Sequence, residues 1–393
     1  MKKYQGELLA VVNSWLNGSQ LPNSEHWDAL FELAKAHGIA NVFYLAIKNS
    51  KLPNGGDGIV TRAKKQYLAN LHQQISQDYY AKELTEKLHE KRISYMPLKG
   101  YILREFYPSA DARTSCDVDV VYDKNRKDEL GEIMLSLGFE RGALSDHDES
   151  WSLDSVTLEM HFALAPYYDL YSDYYKDLWS KLTTKDGVEY AFTKEDFYIY
   201  FIVHAAKHFY HSGLGVRFVL DLYFLRKGMK DTDEEYISDE LEKLHLSVFA
   251  QKLEQLSRVW FAEEEETYET SLVGDFVFDC GLYGKAANQI ISAASDDKKE
   301  EKVTEKHVKR KYFFHMMFPP AKDLSNRFPI LRKCPFLLPI FWVYRWFAAV
   351  LFRRKNIKRT LHNYNALETQ RIKKRFEVMN VMQLKETSNK QDK

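Results

Sequence analysis

The chain has 393 residues, enough for two or three structural units, and its 56 acidic side chains balance its 56 basic ones. A balanced charge sets up no global field toward nucleic acid or anionic lipid. Three widely spaced cysteines, Cys116, Cys280 and Cys334, fit neither a disulfide framework nor a zinc site. Charge is nevertheless unevenly placed. Asp231–Glu266 is acid-rich, and Arg353–Arg375 is strongly basic.

The N-terminal MKKYQGELLAVVNSW has an apolar run interrupted by Asn13 and lacks a small-residue cleavage pattern. It reads as an ordinary helix of a cytoplasmic protein. Residues 1–90 are expected to form an N-terminal helical region. Leu30, Phe31, Leu33, Ala34, Val42, Phe43 and Leu45 recur at helical spacing, the PNGGDG cluster at 53–58 breaks the pattern, and a long helix runs from Val60 to Lys91.

The composition then changes, and residues 91–185 are predicted to form the one α/β section. Ile93–Leu98 reads as a strand, Tyr101–Tyr107 as a short helix and Cys116–Tyr122 as a second strand. Arg126–Leu137 reads as a helix ended by Gly138. Phe139–Gly142, Ser150–Asp154 and Thr157–Leu164 complete the strands, the last being the clearest because polar and apolar residues alternate in it. Helical periodicity returns after Leu170. Glu195–His211 and Leu214–Arg226 open a helical region over 186–310, in which SDDKKEEKVTEK (295–306) reads as a solvated linker or helix end. Residues 311–393 are expected to be an apolar and basic helical region with a disordered tail from Thr387.

Within that last region, PFLLPIFWVYRWFAAVLF (335–352) approaches the ~18–20 apolar residues of a spanning helix, but Arg345 and Pro339 argue against a span. Two readings stand: a packed core helix, or a peripheral membrane contact through residues 335–376, where aromatics are followed by Arg353, Arg354 and Lys355.

The chemistry-bearing residues centre on MPLKGYILREFYPSADARTSCDVDVVY (96–122). In a strand, Asp117 and Asp119 project to one face while Val118 and Val120 face the other. Aspartate is depleted from strands, and a divalent cation with hard oxygen ligands compensates two of them. In Thr157–Phe162, Glu159 and His161 share a face opposite Leu158, Met160 and Phe162. If that strand lies beside the aspartate strand, Glu159 becomes a third carboxylate, as metal ligand, general base toward an attacking hydroxyl, or both. His161 would contact substrate or phosphate, or orient Glu159. Lys99 and Gly100 open a helix, where the glycine permits close backbone approach to phosphate oxygens and the lysine adds charge. Arg113 is placed to neutralise a triphosphate.

A helical stripe carries His204, His208 and His211 at i, i+4 and i+7. Ala205 stands where a zinc hydrolase would need its glutamate, which removes that reading. His204, Lys207, His208, Arg217 and Asp221 are expected either as a buried polar seam between two helices or as the substrate-side wall of a cleft.

Taken together, the residues Leu98-Lys99-Gly100, Leu103, Tyr107-Pro108, Arg113, Asp117-Val118-Asp119, Leu137-Gly138-Phe139 and Leu158-Glu159-Met160-His161 resemble a bacterial nucleotidyltransferase family of the DNA polymerase β-like superfamily. The later His204, Lys207-His208, Arg217 and Asp221 are similar as well. The likeness spans about residues 90–350 and is strongest over 96–162. It implies an α+β fold, with a small mixed sheet embedded between N-terminal and C-terminal helical regions. It also implies binding of an NTP such as ATP with two Mg²⁺ ions (Mn²⁺ as a substitute). The chain departs from the superfamily at the phosphate turn, where Tyr101 follows Gly100 in place of glycine or serine.

The expected activity is metal-dependent transfer of a nucleoside monophosphate to an acceptor hydroxyl with release of pyrophosphate. Asp117, Asp119 and Glu159 would hold the metal, and Lys99, Gly100, Arg113 and His161 would bind the nucleotide. A small-molecule acceptor is favoured because no basic stripe with interleaved aromatics marks the core as an RNA platform; RNA or protein acceptors stay open. The alternative is a catalytically inactive nucleotide-binding or membrane-surface scaffold that keeps the fold.

Overall fold

The computed structural model describes residues 2–52, 56–145, 147–164, 171–282, 284, 286–295, 304–321, 324, 328–352, 364 and 367–384. Two compact units divide the chain. One comprises Met1–Ala206, Gly215–Leu282 and Gln383–Lys393; the other comprises Lys207–Leu214 and Tyr283–Met382.

The first unit begins with four helices, α1 (Lys2–Asn17), α2 (Trp27–Ala36), α3 (Ala40–Ile47) and the long α4 (Asp57–Glu90). The α/β section follows as β1 (Tyr95–Pro97), α5 (Lys99–Leu103), β2 (Val118–Tyr122), α6 (Lys127–Ser136), β3 (Glu140–Leu144), β4 (Asp148–Leu153) and β5 (Val156–His161). This is the expected α+β arrangement, with a small mixed sheet between helical regions. The strand order is β1-β2-β5-β4-β3. In this sheet β2 and β5 run parallel, and β1–β2, β5–β4 and β4–β3 are antiparallel.

Alternation sets the two faces of the sheet. Val118, Val120 and Tyr122 of β2 and Leu158 and Met160 of β5 are buried in one core with Trp151 of β4, Ala81, Leu84 and Leu88 of α4, and Leu130, Ile133 and Met134 of α6. The other face is left to the intervening residues, among them Asp119, Glu159 and His161. A one-residue slip of β5 would exchange those faces, so burial of Leu158 and Met160 fixes where Glu159 projects. Gly138 stops α6 as expected: at φ +87° it takes a conformation that favours glycine, and Phe139 N–H turns back to donate to Met134 O at 3.0 Å.

Several boundaries differ from the sequence expectation. The aspartate strand starts at Val118 and leaves Asp117 just outside it. The short helix begins at Lys99 and tightens to 3₁₀ over Arg104–Phe106. A small hairpin was not anticipated: after α7 (Tyr171–Tyr174) come β6 (Thr183–Thr184) and β7 (Tyr190–Ala191). Its turn carries Asp186-Gly187. Asp186 Oδ1 accepts from the Val188 and Glu189 N–H groups, and Gly187 sits at φ +83°. The hairpin reaches the sheet edge through Tyr95 N–H to Val188 O, 3.0 Å.

The helical remainder of the first unit holds most of α8 (Lys194–His211) and all of α9 (Val216–Gly228), α10 (Glu234–Lys243), α11 (Ser247–Phe261) and α12 (Tyr268–Cys280). Asp233 caps α10 through the Tyr236 N–H, and Thr267 with Thr270 forms a reciprocal cap on α12.

The second unit contains α13 (Ala286–Ser295), α14 (Glu305–Met317) and two later helices over Leu338–Phe352 and Thr369–Val381. Its buried cluster comprises Ala287, Ile291, Val308, Leu367 and Ile372. Among the described residues no helix is long and apolar enough to cross a membrane. The basic run 353–359, most of the charged stretch 295–306 and the tail from Thr387 lie outside the described residues.

Candidate active site

Parallel pairing of β2 with β5 places Asp119 opposite Glu159 and Val121 opposite His161. Paired residues of parallel strands project to the same face, as do residues two apart along a strand, so the three polar side chains converge. Their potential donor atoms all lie within 4.8 Å of one another. His161 Nε2 stands 2.9 Å from Asp119 Oδ1 and 3.8 Å from Glu159 Oε2. On the imidazole's other side, Nδ1 is 4.0 Å from Asp148 Oδ2. Asp119 and His161 are buried, whereas the Glu159 side chain keeps 35% of its exposure.

The Lys99-Gly100 turn borders this group. Leu98 N–H donates to Asp119 O at 3.0 Å, which ties the turn to the start of β2. Lys99 adopts φ +34°, a left-handed value that costs a non-glycine residue on the order of 1 kcal/mol or more. In that conformation its Nζ lies 3.4 Å from Asp119 Oδ1. Gly100 is required by crowding. A Cβ there would stand 2.8 Å from Ser115 Oγ and 3.1 Å from Arg113 Nη1. Gly100→Ala is therefore expected to destabilise the protein by about 1–3 kcal/mol, as overpacking does, read as a lower thermal midpoint.

The electrostatics follow from this packing. Burial disfavours the Asp119 charge, but Lys99 and the hydrogen-bonded His161 overcome it and hold the carboxyl well below its usual range. Burial and then the neighbouring charges of Asp119 and Asp117 push Glu159 up to about 7. Asp117 is raised by burial and by Asp119. Burial opposes the Lys99 charge, and Asp119 more than restores it, with help from Tyr200, Asp117 and Glu159. One carboxylate is thus held ionised while its neighbours resist ionisation, the state of a site short of positive charge.

The expected site residues do not all converge. Asp119, Glu159 and His161 form the convergent set, with Lys99 and Gly100 beside it. Asp117 lies outside the three-residue set, with Ser115 Oγ donating to its carbonyl at 2.8 Å, yet it is close enough for its charge and that of Asp119 to repel. Arg113 and Asp221 meet each other. Arg113 Nε and Nη2 donate to the two Asp221 oxygens at 2.8 and 3.0 Å, Nη1 donates to Gly100 O at 3.1 Å, and Tyr107 Oη donates to Asp221 Oδ1 at 2.7 Å. All of these side chains are buried. Arg217 Nη1 donates to Thr114 O at 3.0 Å, and its charge offsets part of the rise in the Asp117 pKa. His204 stacks on Phe218 within the first unit. Lys207 and His208 belong to the second unit, where Ser212 and Gly213 N–H groups donate to His208 O.

Two neighbours escaped the sequence reading. Tyr200 of α8 is buried beside Lys99, whose charge offsets part of the rise that burial gives the Tyr200 hydroxyl pKa. Asp148 approaches His161 because β4 pairs with β5 in the register Asp148↔His161. Tyr200 looked like one more apolar-face aromatic of an amphipathic helix, and Asp148 fell before the predicted start of its strand.

The donor set fits a divalent cation. Two carboxylates supply hard oxygen ligands of the kind Mg²⁺ takes, and an imidazole nitrogen extends the range to Mn²⁺ and later transition metals.

A sheet carrying paired carboxylates beside a Lys-Gly turn is the architecture expected of a nucleotidyltransferase. Residues 23–262, well over half of the chain, match the family described as "Uncharacterised nucleotidyltransferase", and the chain belongs to that family. No curated protein matches the chain. Among solved structures, the antibiotic-resistance factor ANT(2'')-Ia aligns at 12% identity with a TM-score of 0.33, over 44% of this chain and 94% of that one. A likeness of that size does not bear on function.

Proposed function

We propose that this protein is a metal-dependent, polymerase β-like enzyme that transfers a nucleoside monophosphate from an NTP to an acceptor hydroxyl and releases pyrophosphate. The observation that carries the reading is the convergence of Asp119, Glu159 and His161 on the open face of the sheet. Asp119 and Glu159, with His161 and the adjoining Asp117, would hold Mg²⁺, two ions in the fullest case. When bound, the metal would supply charge neutralisation for the triphosphate and a lowered pKa for the attacking hydroxyl.

The chain's own groups divide the remaining tasks. Glu159 is the most exposed of the three donors and so the one an acceptor reaches, which suits it to take the hydroxyl proton on a carboxylate oxygen. His161 keeps Asp119 oriented through the 2.9 Å contact. Lys99 counters phosphate charge from the edge of the turn. Arg113 is committed to Asp221 and to the Gly100 carbonyl, so we assign it to positioning the turn rather than to contacting phosphate. His204 and Arg217, both of the first unit, remain substrate-side candidates. A small-molecule acceptor is preferred.

The test is a pyrophosphate-release assay with each NTP, Mg²⁺ and cell extract as the acceptor source. Wild-type protein is expected to release pyrophosphate with at least one nucleotide, and Glu159→Gln to reduce the rate at least about a hundredfold, the lower range of general-base effects. Identical traces for the two proteins across all four nucleotides would favour the inactive scaffold instead.

A further inference from the structure

The second unit carries an exposed apolar surface that contains none of the candidate site residues. One side of the Leu338–Phe352 helix is held down. Trp342 Nε1 donates to Pro319 O at 2.8 Å, Trp346 Nε1 donates to Met317 O at 3.0 Å, and Phe341 packs on Phe328 with ring centroids 4.5 Å apart. The other side presents Ile340, Val343, Tyr344 and Phe347 at i, i+3, i+4 and i+7, with Phe336 one turn ahead. These five side chains are 45–76% exposed. Phe314 of α14 is also exposed, and it stacks on Phe318, whose ring packs edge-on against both tryptophans. Scattered single apolar residues on a surface are ordinary, but five large ones along one helical face mark an interaction surface.

Charge selects the occupant. Residues 304–364 contain fourteen lysines and arginines against two acidic residues, Glu305 and Asp323, although the whole chain is neutral. Pairing this face with a second copy would bring two cationic segments together, which opposes association. An anionic lipid surface attracts them instead, with on the order of 1 kcal/mol for each basic residue near it. The helix itself carries one charge, Arg345, so the basic residues that would accompany its exposed apolar side chains at a bilayer interface lie in the flanking sequence. At 15 residues the helix falls short of a span.

We propose that the Phe336–Phe347 face docks the protein peripherally on an anionic bilayer surface, with the apolar side chains in the interface and the basic residues against phosphate headgroups. Flotation of the full chain with vesicles tests it, and no nucleotide is present, so the outcome is independent of the transfer activity. Wild-type protein is expected to float with phosphatidylcholine–phosphatidylglycerol vesicles and to stay behind with phosphatidylcholine alone. Ile340→Glu with Phe347→Glu, and separately Arg310→Glu with Lys333→Glu, are each expected to lower the partition coefficient at least about tenfold while leaving the thermal midpoint unchanged. Arg310 and Lys333 are exposed, so the second pair does not depend on how the apolar face tolerates charge. Failure of wild-type protein to float with anionic vesicles would overturn the proposal, as would undiminished flotation of both variants. So would a lipid-free dimer that Ile340→Glu with Phe347→Glu turns into monomer, since that result would give the face to a second copy.

Discussion

Asp119→Asn is expected to abolish nucleotidyl transfer, with kcat falling on the order of a thousandfold or more. The substitution keeps the size of the side chain and removes the one carboxylate of the site that is held fully ionised. Metal-assisted stabilisation of a transferring phosphoryl group is worth several kcal/mol, and each 1.4 kcal/mol is about tenfold in rate. The fold should survive. Leu158 and Met160 pack on the opposite face of the sheet from Asp119, and they are untouched. What changes locally is that Lys99 and His161 lose the charge they both face at 3.4 and 2.9 Å. A divalent cation that raises the thermal midpoint of the wild-type protein should no longer raise that of the variant, because a ligand stabilises only the state that binds it. Differential scanning fluorimetry with and without Mg²⁺ or Mn²⁺ reads this directly. An unchanged midpoint in metal-free buffer together with a lost metal response would separate a binding defect from an unfolded protein.

Asp221→Ala is expected to produce the largest loss of stability, about 3–5 kcal/mol. Removing one partner of a buried ion pair leaves the other charge desolvated and uncompensated. Here the survivor is Arg113, 6% exposed, whose Nε and Nη2 both lose their acceptor, while the Tyr107 hydroxyl loses its own. Asp221→Asn keeps an oxygen for one of these donors and should cost less. The double substitution Arg113→Met with Asp221→Leu should be less harmful than Asp221→Ala alone, since a matched apolar pair carries no stranded charge. Urea midpoints at constant slope measure all three. Because Arg113 also donates to Gly100 O, the same variants should raise KM for the nucleotide more than they lower kcat, the signature of a displaced phosphate turn.

The pairing of Asp119 with Glu159 was legible because each strand carried its own evidence. Val118 and Val120 around Asp119, and Leu158 and Met160 around Glu159, alternate with the pleat, so each carboxylate had a defined face before any partner was known. Their adjacency depends on a parallel β2–β5 pairing between segments about forty residues apart, which local pattern does not determine and which the family resemblance supplied. The predicted strand began two residues early, at Cys116, because Ser115 Oγ donates to the Asp117 carbonyl and holds that residue in the turn ahead of β2.

Other features were invisible for a physical reason. Arg113 and Asp221 are 108 residues apart, and nothing in either neighbourhood says that a guanidinium there is consumed by a carboxylate rather than presented to a phosphate. Tyr200 sits in an aromatic run of α8 where every residue looks like core. The β6–β7 hairpin is different: the Asp186-Gly187 turn signal was present and was outweighed by the surrounding helical periodicity.

Position-labelled nucleotide tests most directly whether this site moves the α-phosphorus of an NTP. Extract incubated with the protein and Mg²⁺ is supplied with [α-³²P]NTP in one reaction and [γ-³²P]NTP in another. An extract component is expected to gain label from the α position only, the γ label to leave in pyrophosphate, and Asp119→Asn to transfer neither. Label arriving from the γ position, or equal α transfer by wild type and Asp119→Asn, would contradict it.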